Sequence, residues 1–151
     1  MSSQQTTIYD TSDEFIWDSI TTETAADGTI LTQSTVFDSG IIQDDLYEGG
    51  KLFASIEQDT FDFTDWVVRQ TLYDENGEIA LQASLQDDGD EIYNIYVGGD
   101  LFASLLLDVN ESETWEVSLT EQGPNGPQTT YYDNMYNVPE PYLDLLPMGV
   151  G

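Results

Sequence analysis

The sequence predicts an all-β fold, an antiparallel meander of about ten strands built from a tandem repeat. Three observations lead to this prediction: a repeat in one fixed register, apolar residues at every second position, and turn residues between the apolar segments. Trp17, Trp66 and Trp115 mark the repeat, because they are spaced by 49 residues. No apolar period of 3.6 residues is sustained anywhere in the chain, so we expect no long helix.

The repeat divides the chain into segments that together form one domain. Residues 47–55 and 96–104 share a Tyr, a Gly-Gly pair and the run Leu-Phe-Ala-Ser at the same offset, so chance is a poor explanation. Internal self-similarity of this kind is the signature of repeat architectures. The predicted segments are an N-terminal segment (1–16), two full repeats (17–65 and 66–114), a partial third repeat (115–137) and a proline-rich tail (138–151).

Each repeat is predicted to contain four strands joined by tight turns. In the second repeat, Ile79, Leu81 and Ala83 alternate with polar positions, which is typical of a half-buried strand. The pair Gly98-Gly99 supplies the positive-φ positions that hairpin turns need. The predicted strands of this repeat are 66–73, 78–87, 91–97 and 100–108. Such a meander can close into a barrel, fold over as a sandwich, or continue as an open twisted array.

The charge balance restricts the partners of the protein. The chain has 30 acidic residues and two basic ones, Lys51 and Arg69, giving a formal net charge of −28. Binding to phosphates requires Lys and Arg, so we expect no nucleic acid and no anionic membrane as a partner. A basic protein surface, divalent cations and concentrated salt are the compatible environments.

The residue types that are missing argue against several kinds of chemistry. The chain has no Cys and no His, which removes thiolate chemistry and the commonest general base. No nucleophile elbow, P-loop or dinucleotide fingerprint is present, so we expect no enzyme. No apolar run is long enough to span a membrane, and no secretory signal peptide is visible. We therefore expect export by a non-classical route, or the host cytoplasm if the protein is viral.

Residues 66–89 carry a resemblance to a known group of repeats. The motif consists of Trp66, a turn of the form Tyr73-Asp74-x-x-Gly77, and the turn Asp87-Asp88-Gly89. This pattern resembles repeats found beside haemolysin-type (RTX) calcium-binding segments of bacterial secreted proteins. The resemblance implies secretion, acidity and a lack of Cys. The glycine-rich nonapeptide that binds calcium in those proteins is absent, so the resemblance does not identify calcium ligands in this chain.

Acidic turns are the candidate calcium ligands. Calcium prefers carboxylate and carbonyl oxygens, and carboxylates cluster in two turns of the second repeat. No EF-hand loop is present, so the alternative is that these are solvated turn acids. The candidate metal ligands are Asp74, Glu75, Asp87, Asp88, Asp90 and Glu91.

The tail and the tryptophans each have two interpretations. The tail contains three prolines, which exclude a central strand, and apolar residues that could cap the sheet or dock on a partner or a second copy. The candidate contact residues are Tyr142, Leu143, Leu145 and Leu146. The three tryptophans are expected to belong to the core, since they recur in one structural position; a ligand platform is the alternative.

These observations predict a non-enzymatic, highly acidic β-repeat module with a structural or binding role, stabilised by calcium. The alternative is an inhibitor that mimics nucleic acid, of the viral anti-defence type. A compact scaffold with 28 excess negative charges could occupy the basic groove of a DNA-binding protein.

Overall fold

The fold is a single open β-sheet, described by a computed structural model for residues 3–144. Eleven strands follow one another in sequence order, and each pairs antiparallel with its chain neighbours. The strands are β1 (Gln4–Tyr9), β2 (Trp17–Thr24), β3 (Ile30–Phe37), β4 (Ile41–Glu48), β5 (Lys51–Asp59), β6 (Trp66–Tyr73), β7 (Ile79–Gln86), β8 (Glu91–Val97), β9 (Asp100–Leu107), β10 (Val117–Gly123) and β11 (Gly126–Tyr132). A 3₁₀ helix (Met135–Asn137) and a short helix α1 (Glu140–Leu143) follow.

The predicted all-β meander is confirmed, and the sheet takes the open form. The strands predicted at 66–73 and 91–97 are β6 and β8, while β7 and β9 are slightly shorter than predicted. The ends do not pair with each other, so β1 and β11 are edge strands and neither a barrel nor a sandwich forms. The accessible area of 9194 Å² agrees with a single layer, since a compact monomer of this mass exposes about 7,700 Å².

The hairpins between strands depend on glycines in the left-handed region. Gly49 and Gly50 have φ of 60° and 80°, and Gly98 and Gly99 repeat this geometry with 60° and 85°. A residue with a Cβ is strained at such angles, whereas Gly is not. The same two-residue turn therefore joins β4 to β5 and β8 to β9, so the equivalent hairpins of the two repeats have the same geometry.

Alternation along the strands gives the sheet a core face and a polar face. On the core face, Ala83, Tyr93, Leu105 and Leu119 lie side by side in one row across β7 to β10. All four are buried, and Tyr93 and Leu105 are fully so. Burying a side chain of this size contributes about 1.5–3 kcal/mol. This row is the centre of the hydrophobic core.

The same row becomes polar in the first repeat. Ser34 and Asp44 occupy the positions that Ala83 and Tyr93 occupy one repeat later, and they continue the row across β3 and β4. Ile56 of β5 takes the position of Leu105 but is only partly buried. The core consequently lies under the C-terminal half of the sheet, although both halves share one backbone pattern.

The polar face is held by hydrogen bonds that repeat with the sequence. The Gln33 amide donates to the Thr22 hydroxyl at 3.2 Å, and Gln82 donates to Thr71 at the same distance. Within residues 3–144, no buried side-chain nitrogen or oxygen lacks a hydrogen-bond partner. Since unsatisfied buried polar atoms are costly, this pairing allows a face rich in Thr, Ser and Gln to remain ordered.

The chain after β11 returns across the core face of its own sheet. Val138 is 3% exposed and belongs to the core cluster, and Met135 and Tyr142 pack against that cluster. The Tyr142 hydroxyl donates a hydrogen bond to Glu121 of β10 at 3.1 Å. The described part of the tail therefore covers the apolar side chains of β8, β9 and β10 within one molecule.

Candidate functional site

The two ends of the sheet differ in the length of their connections. The end with tight turns, here called the hairpin end, joins β2 to β3, β4 to β5, β6 to β7, β8 to β9 and β10 to β11. The opposite end, called the loop end, carries the long connections 10–16, 60–65 and 108–116 and the turns 38–40 and 87–90. An antiparallel meander places alternate connections at opposite ends, so the repeat puts every long loop on one side.

The loop end holds most of the negative charge. More than half of the 30 acidic residues lie in its connections, within two residues of them, or directly after β11 at the same end. They are Asp10, Asp13, Glu14, Asp18, Asp38, Asp59, Asp62, Asp65, Asp87, Asp88, Asp90, Glu91, Asp108, Glu111, Glu113, Glu116 and Asp133. We call this row of loops the acidic ridge.

Each long loop is stabilised by the aspartate that begins it. Asp59 accepts hydrogen bonds from the backbone N–H groups of Phe63 and Thr64, at 2.9 and 2.7 Å. Asp10 and Asp108 accept equivalent pairs of N–H groups in the first and third loops. These bonds lower the pKa of Asp59 although burial opposes the shift. The first acid of each loop therefore holds the loop together.

Hydrogen bonds between neighbouring connections make the ridge continuous. The Asp38 N–H donates to the Ile16 carbonyl at 2.9 Å, and the Asp87 N–H repeats this bond with the Asp65 carbonyl. Further along the ridge, the Asn110 N–H donates to the Asp90 carboxylate at 3.2 Å. Loops that belong to different hairpins are thus fixed side by side.

Close approach between loops requires a glycine at one position. The Phe61 ring lies against Gly40, and a Cβ on Gly40 would come within 2.3 Å of the ring. Thr60 also bonds to the Gly40 carbonyl through its backbone N–H at 3.1 Å. A larger residue at this position would separate the loop from the adjacent turn.

Three pairs of aspartates share hydrogen bonds along the ridge. A hydrogen bond with Asp18, together with burial and repulsion from neighbouring acids, raises the pKa of Asp38 to about 6. Burial, followed by a hydrogen bond with Asp62, raises the pKa of Asp87. Asp90 is bonded to Asp108 in the third pair, and burial raises its pKa. Two carboxylates this close need a proton or another cation between them.

The carboxyl pairs lead us to expect that the free energy of unfolding increases on mild acidification. The pKa of Asp38 is about 6 in the folded state and 3.8 without the fold, so the folded state binds more protons between these values. The free energy of unfolding therefore falls as the pH rises through this window. We expect a higher melting temperature at pH 5 than at pH 7, measured by circular dichroism.

The control for the pH prediction is Asp38→Asn. An amide keeps a hydrogen bond to Asp18 without a titrating proton, so the variant should show a smaller difference between pH 5 and pH 7. A wild-type melting temperature that is equal or lower at pH 5 would contradict the assignment of a shared proton.

The six candidate calcium ligands lie in two separate places. Asp74 and Glu75 are at the hairpin end, and the other four are at the loop end, on opposite sides of β7. Eight strand residues separate the two groups, a distance of about 25 Å. Among residues 3–144, no group of three or more carboxylates is arranged to hold a metal ion.

Several of these carboxylates already accept hydrogen bonds within their own turns. Asp74 accepts from the N–H groups of Asn76 and Glu78, both at 2.9 Å, and so closes its turn. Asp88 accepts from the Asp90 N–H at 3.0 Å. Glu91 accepts from the Tyr93 hydroxyl. Such bonds give these acids a structural role in their hairpins.

The candidate partner-binding residues of the tail are only partly covered by the structure. Tyr142 and Leu143 belong to α1 and are half-buried, with Tyr142 on the core face. Leu145 and Leu146 lie outside the described residues. Docking of the tail on a second copy stays a prediction.

The tryptophans lie at the loop end, which sequence reasoning missed. Each is half-buried and outside the buried core cluster. Trp17 stacks on Phe15 with ring centroids 5.1 Å apart, and the Arg69 guanidinium lies 4.6 Å from the Trp66 ring centroid. Trp115 contacts Tyr131 at 5.3 Å. Each tryptophan stands at the start of its repeat, beside a long loop, and this position in the sequence could have indicated that it lies at the loop end.

Comparisons with known proteins do not assign a function to the chain, so the proposal for its function depends on the geometry of the structure. No protein-family model and no curated protein sequence matches the chain. The resemblance to the RTX-associated repeats therefore depends on the residues quoted for it. Among residues 3–144, no helix has the length and apolar character to cross a membrane.

Proposed function

We propose that the chain is a non-enzymatic binding module whose acidic ridge engages a positively charged protein surface. One observation carries the proposal: more than half of the acids are gathered on hydrogen-bonded loops along one end of the sheet. Eleven strands about 4.8 Å apart give a ridge of about 50 Å. A linear array of carboxylates that is already held in place favours fast association with a basic surface. The affinity of such binding depends strongly on salt concentration.

Exposed aromatic side chains on the ridge support an interface. Phe15, Phe61 and Phe63 are each more than half exposed between the carboxylates. Aromatic residues are enriched among the side chains that dominate protein interfaces, whereas a surface used only for solubility needs none. The ridge thus combines long-range attraction with apolar contacts at short range.

The test compares charge removal at the two ends of the sheet. A ridge variant carries Asp13→Asn, Asp62→Asn and Glu111→Gln; its control carries Asp27→Asn, Glu75→Gln and Asp100→Asn at the hairpin end. Both lose three charges, but only the ridge variant should bind a basic protein more weakly, roughly ten-fold at 0.05 M salt. Affinity is measured by titration against salt. Equal losses in both variants would show that only net charge matters.

Mimicry of nucleic acid is a second candidate, favoured by the spacing of charge on the ridge. More than half of 30 acids along about 50 Å corresponds to roughly one charge per 3 Å. One nucleic-acid strand carries a charge every 3.4 Å or so. Under this proposal, a DNA-binding protein captured from host lysate is released by added DNA. Capture of basic proteins that DNA does not displace would favour the general module.

Calcium would act on the same ridge by replacing the shared protons of the carboxyl pairs. A cation that binds the folded state more tightly than the unfolded chain raises stability by mass action. We expect a higher melting temperature in millimolar calcium chloride than in sodium chloride of equal ionic strength at pH 7. The increase should shrink in Asp38→Asn. Identical melting temperatures in both salts would rule out a stabilising role for calcium.

A further inference from the structure

The ridge contains a cleft at its C-terminal end. Its volume is about 660 Å³, and it lies where the loop between β9 and β10 meets the chain after β11. Trp115, Leu107 and Val109 provide apolar surface, while Glu111, Glu113 and Asp133 provide exposed carboxylates. An aromatic wall with carboxylates around it is the environment that suits an organic cation.

The preceding repeat shows which cation fits such a tryptophan. There the Arg69 guanidinium lies 4.6 Å from the ring centroid of Trp66. Its Nε and one terminal nitrogen donate to the two oxygens of Glu57, both at 3.0 Å. The sheet therefore already holds one arginine between an indole and a carboxylate, using a contact to the ring and a bidentate ion pair.

The third repeat keeps the tryptophan but not the arginine. Ser118 stands 49 residues after Arg69, and the chain has no other cation than Lys51 and Arg69. Relative to the earlier repeat, two acids are gained, since Glu113 and Glu116 replace Thr64 and Val67. Two are lost, since Leu106 and Thr114 replace Glu57 and Asp65. The third repeat thus keeps the same number of acids around its tryptophan but has no cation of its own.

The carboxylates of the cleft divide into structural and exposed ones. Asp108 accepts the N–H groups of Ser112 and Glu113 at 3.2 and 2.8 Å, and Glu116 accepts that of Met135 at 3.3 Å. These bonds fix the loop and the start of the tail. Glu111 and Asp133 are exposed and line the same cleft.

We propose that this cleft binds an arginine side chain of a partner protein, with the guanidinium against Trp115 and its N–H groups directed to the carboxylates of Glu111, Glu113 and Asp133. A guanidinium is planar and weakly hydrated, so it can stack on an indole and form paired bonds to carboxylates, which an ammonium group cannot. The inference rests on the proposed function. It specifies that the basic surface of the partner presents an arginine side chain to this cleft.

The test measures binding of fluorescently labelled hexa-arginine and hexa-lysine by anisotropy at 150 mM sodium chloride. Hexa-arginine should bind more tightly than hexa-lysine. Trp115→Leu should weaken arginine binding roughly 2- to 30-fold, the range expected of a cation–π contact, and remove the preference over lysine. Trp17→Leu, the same change in the first repeat, should leave both affinities unchanged.

A second pair of variants decides the question if Trp115→Leu unfolds. Glu111→Gln and Asp13→Asn each remove one charge at the same loop position, where both residues have φ of 56°. Only Glu111→Gln should weaken hexa-arginine binding beyond the effect of net charge. Equal affinities for both peptides, with equal losses in both variants, would overturn the cleft while leaving the ridge as a binding surface. If neither peptide binds, the cleft and the proposed function both fail.

Discussion

Leu105→Ala is expected to lower the free energy of unfolding by about 2–5 kcal/mol, the usual range for a buried leucine. Leu105 is 0% exposed on the core face, beside Tyr93 and Leu119. The described tail covers the core on these strands, so the substitution leaves a cavity that is closed to solvent. Such a cavity adds to the loss of stability caused by removing the buried side chain. Chemical denaturation, monitored by tryptophan fluorescence, measures the change.

The matched control is Ile56→Ala, at the same position one repeat earlier. Ile56 lies between Asp44 and Gln70 on the core face and is only partly buried. Its truncation should cost less than half as much as that of Leu105. Equal costs at the two positions would show that the core is spread evenly along the sheet and is not concentrated under its C-terminal half.

Removal of residues 134–151 is expected to be similarly destabilising. It uncovers Val117 and Leu119, which are 0% and 1% exposed, and deletes Val138. Val138 alone contributes roughly 1.5–3 kcal/mol, and the partly buried Met135 and Tyr142 add to this. The truncated protein should melt at a lower temperature and expose apolar surface to a hydrophobic dye.

A point variant separates the tail contact from the effect of shortening the chain. Val138→Asp places a carboxylate in the core and should cost several kcal/mol. Val97→Asp is its control, since Val97 is 62% exposed at the hairpin end and should tolerate the change. Sedimentation of the truncated protein completes the test. Loss of oligomers at unchanged stability would show instead that the tail docks on a second copy.

The candidate site was predicted less completely than the fold. The acids of two turns of the second repeat were singled out as candidate calcium ligands, and the structure places Asp74 and Glu75 at the opposite end of β7 from Asp87 and Asp88. Strand parity contains this information, because odd and even connections of a meander lie at opposite ends. The pairing of Asp18 with Asp38 could not be predicted, since it depends on how two neighbouring connections pack.

The sequence by itself determined the strands, their turns and their order. Period-two alternation and the Gly-Gly turns act over a few residues, and the repeat applies the same local rules twice, so β6 and β8 begin and end where predicted. These features need no knowledge of distant contacts, which explains why the meander could be read directly from the chain.

Only the tertiary structure decided that the sheet stays open and where its core lies. Closure depends on whether β1 meets β11, which follows from twist and register accumulated over all the strands. Irregularities such as the register shift between Trp66 and Val68 change that register without altering the apolar pattern. The core forms beneath Val138 because the tail returns over its own sheet, a long-range contact that no local period encodes.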